Sequence, residues 1–215
     1  MYENETLCPN CGAIIKESLV GRNVLCKPLE TLIINEFFVK KTEAYCGKCA
    51  PTLLKEASER LREEKINLVV AVARLAESIL ILTVENPPGW QFTCLGPATA
   101  QSTTGKGPLL ELENSAVSFF GSGNENKHLK IKLAEERVFS QLRKKCIEAD
   151  CNAIVGAKVD YHILDGEKGG LLITVSGTMV KVSNMAEVDK PRFDFLEMLN
   201  IKYKRLGYLI TLLRA

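Results

Sequence analysis

Apolar positions recur along this chain with two different periods, and the changes from one period to the other mark its pieces. From Pro51 onward, Leu54, Ala57 and Leu61 return every three or four residues, with Glu56, Glu59, Arg60, Arg62 and Glu63 between them. This spacing predicts an amphipathic connector helix over 51–78, and Pro51 suits its first turn, where an N–H would have no partner anyway. The run Ile79-Leu80-Ile81-Leu82-Thr83-Val84 reads as a buried strand, ended by Pro87, Pro88 and Gly89. Residues 91–104, rich in Thr and Ser, suit an extended segment. Residues 105–127 hold Gly105, Gly107, Pro108, Gly121 and Gly123 and predict a loop region with an apolar patch at Val117, Phe119 and Phe120.

A helix is predicted from Leu129 to Ala149. Ile131, Ala134, Val138, Leu142 and Cys146 line one face, and Lys130, Glu135, Arg143 and Lys144 take the other. The period then drops to two: Val155, Ala157, Val159, Tyr161 and Ile163 alternate with Gly156, Lys158, Asp160 and His162, as in a half-buried strand. Asp165-Gly166 and Gly169-Gly170 supply a hairpin turn, and Leu171 to Val182 returns as the partner strand. Helical spacing resumes from Phe193, with Leu196, Leu199, Tyr203, Leu206, Ile210 and Leu213 on one stripe. Strand, helix and hairpin in this order make an α+β unit. The chain therefore divides into 1–50, a connector helix 51–78, a domain over 79–184 and an amphipathic helix within 185–215.

The first piece is distinguished by chemistry. It holds five of the eight cysteines, in Cys8-Pro9-Asn10-Cys11-Gly12 and Tyr45-Cys46-Gly47-Lys48-Cys49. Four thiolates in two Cys-x-x-Cys pairs suit the tetrahedral preference of Zn²⁺, each pair wrapping a knuckle around the metal. Gly12 and Gly47 stand where such a knuckle needs a backbone free of Cβ clashes. A redox pair would instead sit between a strand and a helix of a βαβ pattern, and neither pair does. The expectation is a small zinc ribbon with Cys8, Cys11, Cys46 and Cys49 as ligands and Zn²⁺ as cofactor. In the insert between the pairs, Ile33, Ile34, Phe37 and Val39 predict short strands, and Cys26 a core thiol rather than a fifth ligand.

Composition narrows the function classes. Lys plus Arg number 28 against 26 Asp plus Glu, so no global charge calls for nucleic acid or a membrane. Within 1–50, Lys16, Arg22, Lys27, Lys40, Lys41 and Lys48 are matched by Glu3, Glu5, Glu17, Glu30, Glu36 and Glu43, whereas phosphate binding needs a cation surplus on one face. Arg74 and Glu77 interrupt the one apolar stretch long enough to span a bilayer, Ile66 to Val84. Cysteines without a secretory leader predict metal ligands and free thiols in a reducing, cytoplasmic setting. Cys146 and Cys151 are accordingly expected as structural thiols. Among Cys94, Cys146, Cys151 and His162 no second soft-metal site stands out; His162 falls on a polar strand face and His128 in a polar loop.

Residues 79–182 resemble the YbjQ-like family of small prokaryotic domains, described as heavy-metal-binding. The resemblance rests on Leu95-Gly96 with Thr99, on the helix from Ala134 to Cys146, and on Cys151-Asn152-Ala153-Ile154-Val155-Gly156 with Val159-Asp160-Tyr161. It continues through Gly170-Leu171-Leu172 and Ser176-Gly177-Thr178-Met179-Val180. It implies a two-layer β-α-β-β subunit of dodecin-like fold that assembles as a ring, a pentamer being the specific expectation, and it implies no catalytic residues. Pro97 and Ala100 depart from the family pattern, and Asp150-Cys151 replaces a small, Gly-rich pair.

No nucleophile–base pair, phosphate-cradling loop or acid dyad appears, and Gly121-Ser122-Gly123 lacks the Lys-Ser or Lys-Thr of a phosphate loop. The chain is expected not to be an enzyme but a zinc-containing binding or scaffolding protein with an oligomerising second domain, with a metal ion or small molecule as ligand. Its ribbon or its basic C-terminal helix (Lys202, Lys204, Arg205, Arg214) would offer a surface to a protein partner, although packing on its own domain is the simpler role for that helix. A ligand-sequestering ring and a nucleic-acid-associated ribbon protein are the alternatives.

Overall fold

The computed structural model describes residues 6–18, 21–104, 125–164 and 170–214. The loop patch at Val117, Phe119 and Phe120, Gly121-Ser122-Gly123 and the Asp165-Gly166 turn lie outside the described residues. The chain separates into two compact units, Met1–Val72 with Ile201–Ala215, and Ala73–Asn200.

In the first unit, β1 (Lys16–Ser18) and β2 (Gly21–Asn23) pair antiparallel over three residues each. The helix α1 (Pro28–Phe37) follows, where short strands were expected. Pro28 presets the helical first turn, and Glu30 accepts a 2.9 Å hydrogen bond from the Lys27 N–H just before it. Ile33, Ile34 and Phe37 are thus spaced for one helical face, and Ile34 is fully buried against Tyr45 and Ala50. The long helix α2 (Ala50–Ala76) places Leu61 and Leu68 one heptad apart, and they pack on Leu206, Leu209 and Leu212. Those three belong to the last helix, α5 (Lys190–Arg214), once α3 (Glu125–Glu148) and α4 (Met185–Val188) are counted. The packed stripe of α5 ends on Leu212, whereas Leu213, expected inward, is exposed. Ile66, Val69 and Val70 of α2 also face outward.

Arg205 of α5 joins this unit electrostatically. It donates to both carboxylate oxygens of Glu64, at 2.8 and 3.0 Å, and to Glu36, which also accepts from the Tyr208 hydroxyl at 2.9 Å. Burial pushes the Glu36 carboxyl up, but the bonds from Arg205 and Tyr208 outweigh it and hold it below the usual carboxylate range.

The second unit is a mixed α+β domain. Its sheet has four strands in the order β3-β5-β6-β4, formed by β3 (Leu80–Ile81), β4 (Phe92–Thr103), β5 (Ala153–Leu164) and β6 (Gly170–Val182). Only two residues of the predicted Ile79–Val84 strand form a ladder, parallel to β5, because Val84 and Leu82 next bond across a bulge rather than in register. The sheet thus has one strand more than β-α-β-β requires. Helix α3 packs across β4 and β6, burying Ala134, Val138, Leu142 and Cys146, four of the five residues of the predicted stripe. His128 lies in its first turns, exposed, rather than in a loop.

Alternate strand residues point to opposite faces. In β6, Ile173 and Val175 therefore belong to one face, and Val180 and Val182 to the other. The second pair packs with Ala153, Val155 and Met185, joined by Trp90, Phe92, Phe193 and Leu196. The sheet is covered on both faces, each over part of its length, where a single helix on one face was expected. The alternation of β5 breaks as well. A bulge between Val155 and Lys158, with Gly156 at φ 60°, shifts the register, and beyond it every residue from Lys158 to Leu164 is exposed, Val159, Tyr161 and Ile163 included. Opposite the bulge sits Gly177, where a Cβ would lie 2.6 Å from the Ile154 side chain. The bulge thus requires a left-handed residue on one strand and a bare Cα on the other.

Candidate metal centre

Two short knuckles build the site. In the first, Cys8 donates its N–H to Ala13 O at 2.8 Å and Gly12 donates to Cys8 O at 2.9 Å, closed by a bridge between Leu7 and Ile14. Gly12 has φ 70°, a conformation that side chains disfavour, so the reversal needs a glycine. Gly47 does not: its φ is not left-handed, and an added Cβ would meet only ordinary contacts. In the second knuckle, Cys49 and Ala50 both donate to Cys46 O, at 3.1 and 2.8 Å, and the chain runs directly into α2. Asn23 ties the two together, its Nδ2 donating to Ile14 O at 2.7 Å while Gly47 N donates to Val24 O at 2.9 Å.

The four predicted sulfurs converge. Cys8, Cys11, Cys46 and Cys49 place their Sγ atoms within 4.8 Å of one another. The separations are 3.8 Å for Cys8–Cys49, 3.6 Å for Cys11–Cys46 and 3.8 Å for Cys46–Cys49. A tetrahedral ion with M–S bonds of about 2.3 Å has sulfur–sulfur edges of roughly 3.8 Å. These three of the six edges match a tetrahedral metal ion, and the whole set lies within 4.8 Å. Cys8 and Cys46 are buried, Cys49 is half-buried and Cys11 faces outward. Cys26 stands apart, its sulfur 3.2 Å from Thr31 Oγ1, partly rather than fully buried.

The acidity of the thiols points the same way. Burial pushes the Cys46 thiol up, but the Cys49 and Lys48 N–H groups and the neighbouring thiols bring it down to about 6. Cys8 is lowered too, by the Cys11 and Asn10 N–H groups against its own burial. At Cys11 the Ala13 N–H acts to lower the pKa, yet burial and the sulfurs of Cys46, Cys8 and Cys49 raise it to about 11. The fourth negative charge is thus resisted by the first ones, and a central cation removes that penalty.

Elsewhere one cysteine pair was missed. Cys146 and Cys151, expected as free thiols, are joined as a disulfide. Both are buried as anticipated, at 0% and 7% exposure. The signal was present in their positions: Cys146 lies in the last turn of α3 and Cys151 five residues on, just past the left-handed Asp150 at φ 53°. His162 and Cys94 are exposed and belong to no cluster of metal-ligating side chains among the described residues. No helix among them is long and apolar enough to cross a membrane.

Fold and site together define an α+β domain joined to a unit whose four clustered cysteines could hold a metal ion. Residues 79–183 match the sequence profile of a family described as "Putative heavy-metal-binding" (YbjQ), and this segment is similar to the domains of that family. A UPF0145 protein of Bifidobacterium longum subsp. infantis is 24% identical over 109 residues, spanning 50% of this chain and 99% of that protein. One from Clostridium botulinum Eklund 17B is 32% identical over 63 residues, 29% of this chain and 59% of its own length. A crystal structure of a protein with unknown function from Pediococcus pentosaceus covers 49% of this chain and 98% of its own, with a TM-score of 0.37 and 14% identity. The profile match excludes all four clustered cysteines. The family's description and the four-sulfur site thus concern different parts of the chain.

Proposed function

We propose that the chain is a non-enzymatic, zinc-holding binding or scaffolding protein of the cytoplasm, whose second unit assembles into a homo-oligomer. The observation that carries the metal half is the set of sulfur separations at 3.6–3.8 Å, the edge length of a tetrathiolate site. Four protein ligands leave no position for water or substrate, so the ion is structural and the first unit acts as a zinc ribbon. Thiolates alone favour zinc or iron over hard cations.

The assembly half is supported by the strand edges. Among the described residues β4 pairs only with β6, and β5 beyond Lys158 has a partner on one side only. Val159, Tyr161 and Ile163, at 37%, 50% and 80% exposure, stand on that second stretch. Long edges with exposed apolar side chains tend to pair with another chain, and a dodecin-like ring of five copies is the specific arrangement proposed. A cleft of about 430 Å³ lined by Arg74, Leu75, Ser78, Pro191, Arg192 and Phe195 supports the variant in which the ring sequesters a small ligand. Native mass spectrometry with elemental analysis tests both halves. One zinc per chain and a closed oligomer are expected. A metal-free chain removes the first half, and a monomer at tens of micromolar removes the second.

A further inference from the structure

The corner between α3 and β5 has a specific geometry. Cys151 N donates to Cys146 O at 2.9 Å and Asp150 N donates to Ile147 O at 3.1 Å, with Asp150 left-handed at φ 53°. These nested bonds are the helix-ending motif in which the residue after the left-handed position packs back on the last turn. In most helices that contact is between two apolar side chains; here both positions are cysteines, with Cα atoms 5.0 Å apart. A separation of 5.0 Å lies within the range a disulfide spans. Backbone hydrogen bonds, not the sulfurs, set this spacing, and Lys181 Nζ holds Asp150 Oδ1 at 3.0 Å beside it. The corner therefore keeps its shape whether the sulfurs are bonded or not.

We propose that Cys146 and Cys151 are a reversible oxidation site, a preorganised dithiol that closes and opens without rearrangement of the fold. The two residues differ in access, Cys146 being fully enclosed and Cys151 exposed by 7%, so exchange is assigned to Cys151. An external dithiol, as its thiolate, attacks Cys151 Sγ and the Cys146–Cys151 bond breaks. Cys146 leaves as a thiolate and takes a proton from water. The second thiol of the reductant then displaces Cys151, leaving two protein thiols and an oxidised external disulfide. A disulfide oxidant such as oxidised glutathione reverses the sequence, again through Cys151.

The test uses the full chain and peptide mapping after alkylation, read only at peptides covering positions 146 and 151, so that thiols of the metal site do not enter. Dithiothreitol should convert the linked pair to two alkylatable thiols with unchanged circular dichroism, and oxidised glutathione should relink it. Cys146→Ser should be captured at Cys151 as a glutathione mixed disulfide at least tenfold faster than Cys151→Ser is captured at Cys146. Opening of the pair only on global unfolding would overturn the proposal, as would two free thiols persisting in wild type under oxidised glutathione. Equal capture rates in the two folded variants would overturn its assignment of Cys151 as the point of exchange. The wild-type mapping decides the matter even if a variant fails to fold.

Discussion

The first unit spreads its buried side chains over two small clusters, Ile34 with Tyr45 and Ala50, and Leu61 and Leu68 with Leu206, Leu209 and Leu212. Among the described residues its one ladder is three residues long. The second unit pairs strands of 12 and 13 residues and buries apolar side chains on both faces of its sheet. Cysteine serves them in opposite ways. In the first, four sulfurs approach no nearer than 3.6 Å, a spacing that only an ion between them makes cohesive. In the second, two sulfurs close on each other at a corner that backbone bonds already define. On the proposed reading, the small core leaves the first unit dependent on metal, and the continuous core makes the crosslink dispensable.

The sharpest way to break this contrast is Cys46→Ser. Structural zinc in small domains contributes an apparent ~10–16 kcal/mol to folding. Residues 6–49 should lose hydrogen-exchange protection in the variant while β4 to β6 keep theirs; equal loss in both units would show that their stabilities are not separate. Leu142→Ala probes the opposite side. Leu142 is fully buried, and its truncation should cost about 2–5 kcal/mol in the sheet unit, read as a lower melting temperature with metal content unchanged.

How much of this could be read from residue order depends on the distance over which the information acts. Of the stripe Ile131, Ala134, Val138, Leu142 and Cys146, α3 buries all but Ile131, because a helix face is a local property. The four cysteines that converge could be named because a Cys-x-x-Cys knuckle is local, even though bringing the knuckles together is not. Ile33, Ile34 and Phe37 were misassigned to strands because Pro28 and Glu30, which start a helix, outweigh β-branched propensity. The burial expected of Val159, Tyr161 and Ile163 fails because both faces of β5 are open from Lys158 onward, past a bulge at Gly156 whose glycine partner lies 21 positions away at Gly177. Asp150 in place of a glycine gave the disulfide corner its only local mark, a helix end that must turn left-handed.

Smaller effects sharpen the comparison further. Reducing the Cys146–Cys151 bond frees a loop of only six residues in the unfolded chain, worth about 2 kcal/mol on the chain-entropy account. The second unit should melt somewhat lower and remain folded. Gly177→Ala places its Cβ 2.6 Å from Ile154 Cγ2 and should cost about 1–3 kcal/mol, with the loss confined to the sheet in hydrogen exchange. The smallest effect is pH-dependent. Because the Glu36 pKa is lowered on folding, its contribution is present above the unfolded carboxylate range and is lost as pH falls through the folded value. Arg205→Met should therefore lower the melting temperature at pH 7 and make less difference near pH 3, as differential scanning calorimetry would read.

The central claim is that Cys8, Cys11, Cys46 and Cys49 hold one metal ion as a closed tetrathiolate. X-ray absorption at the metal edge of the purified full chain tests it most directly. The account predicts one zinc per chain with four sulfur scatterers at about 2.3 Å, and a shell that loses one sulfur in Cys11→Ser. A shell dominated by nitrogen or oxygen, or a chain that keeps its first unit folded with no bound metal, would contradict it.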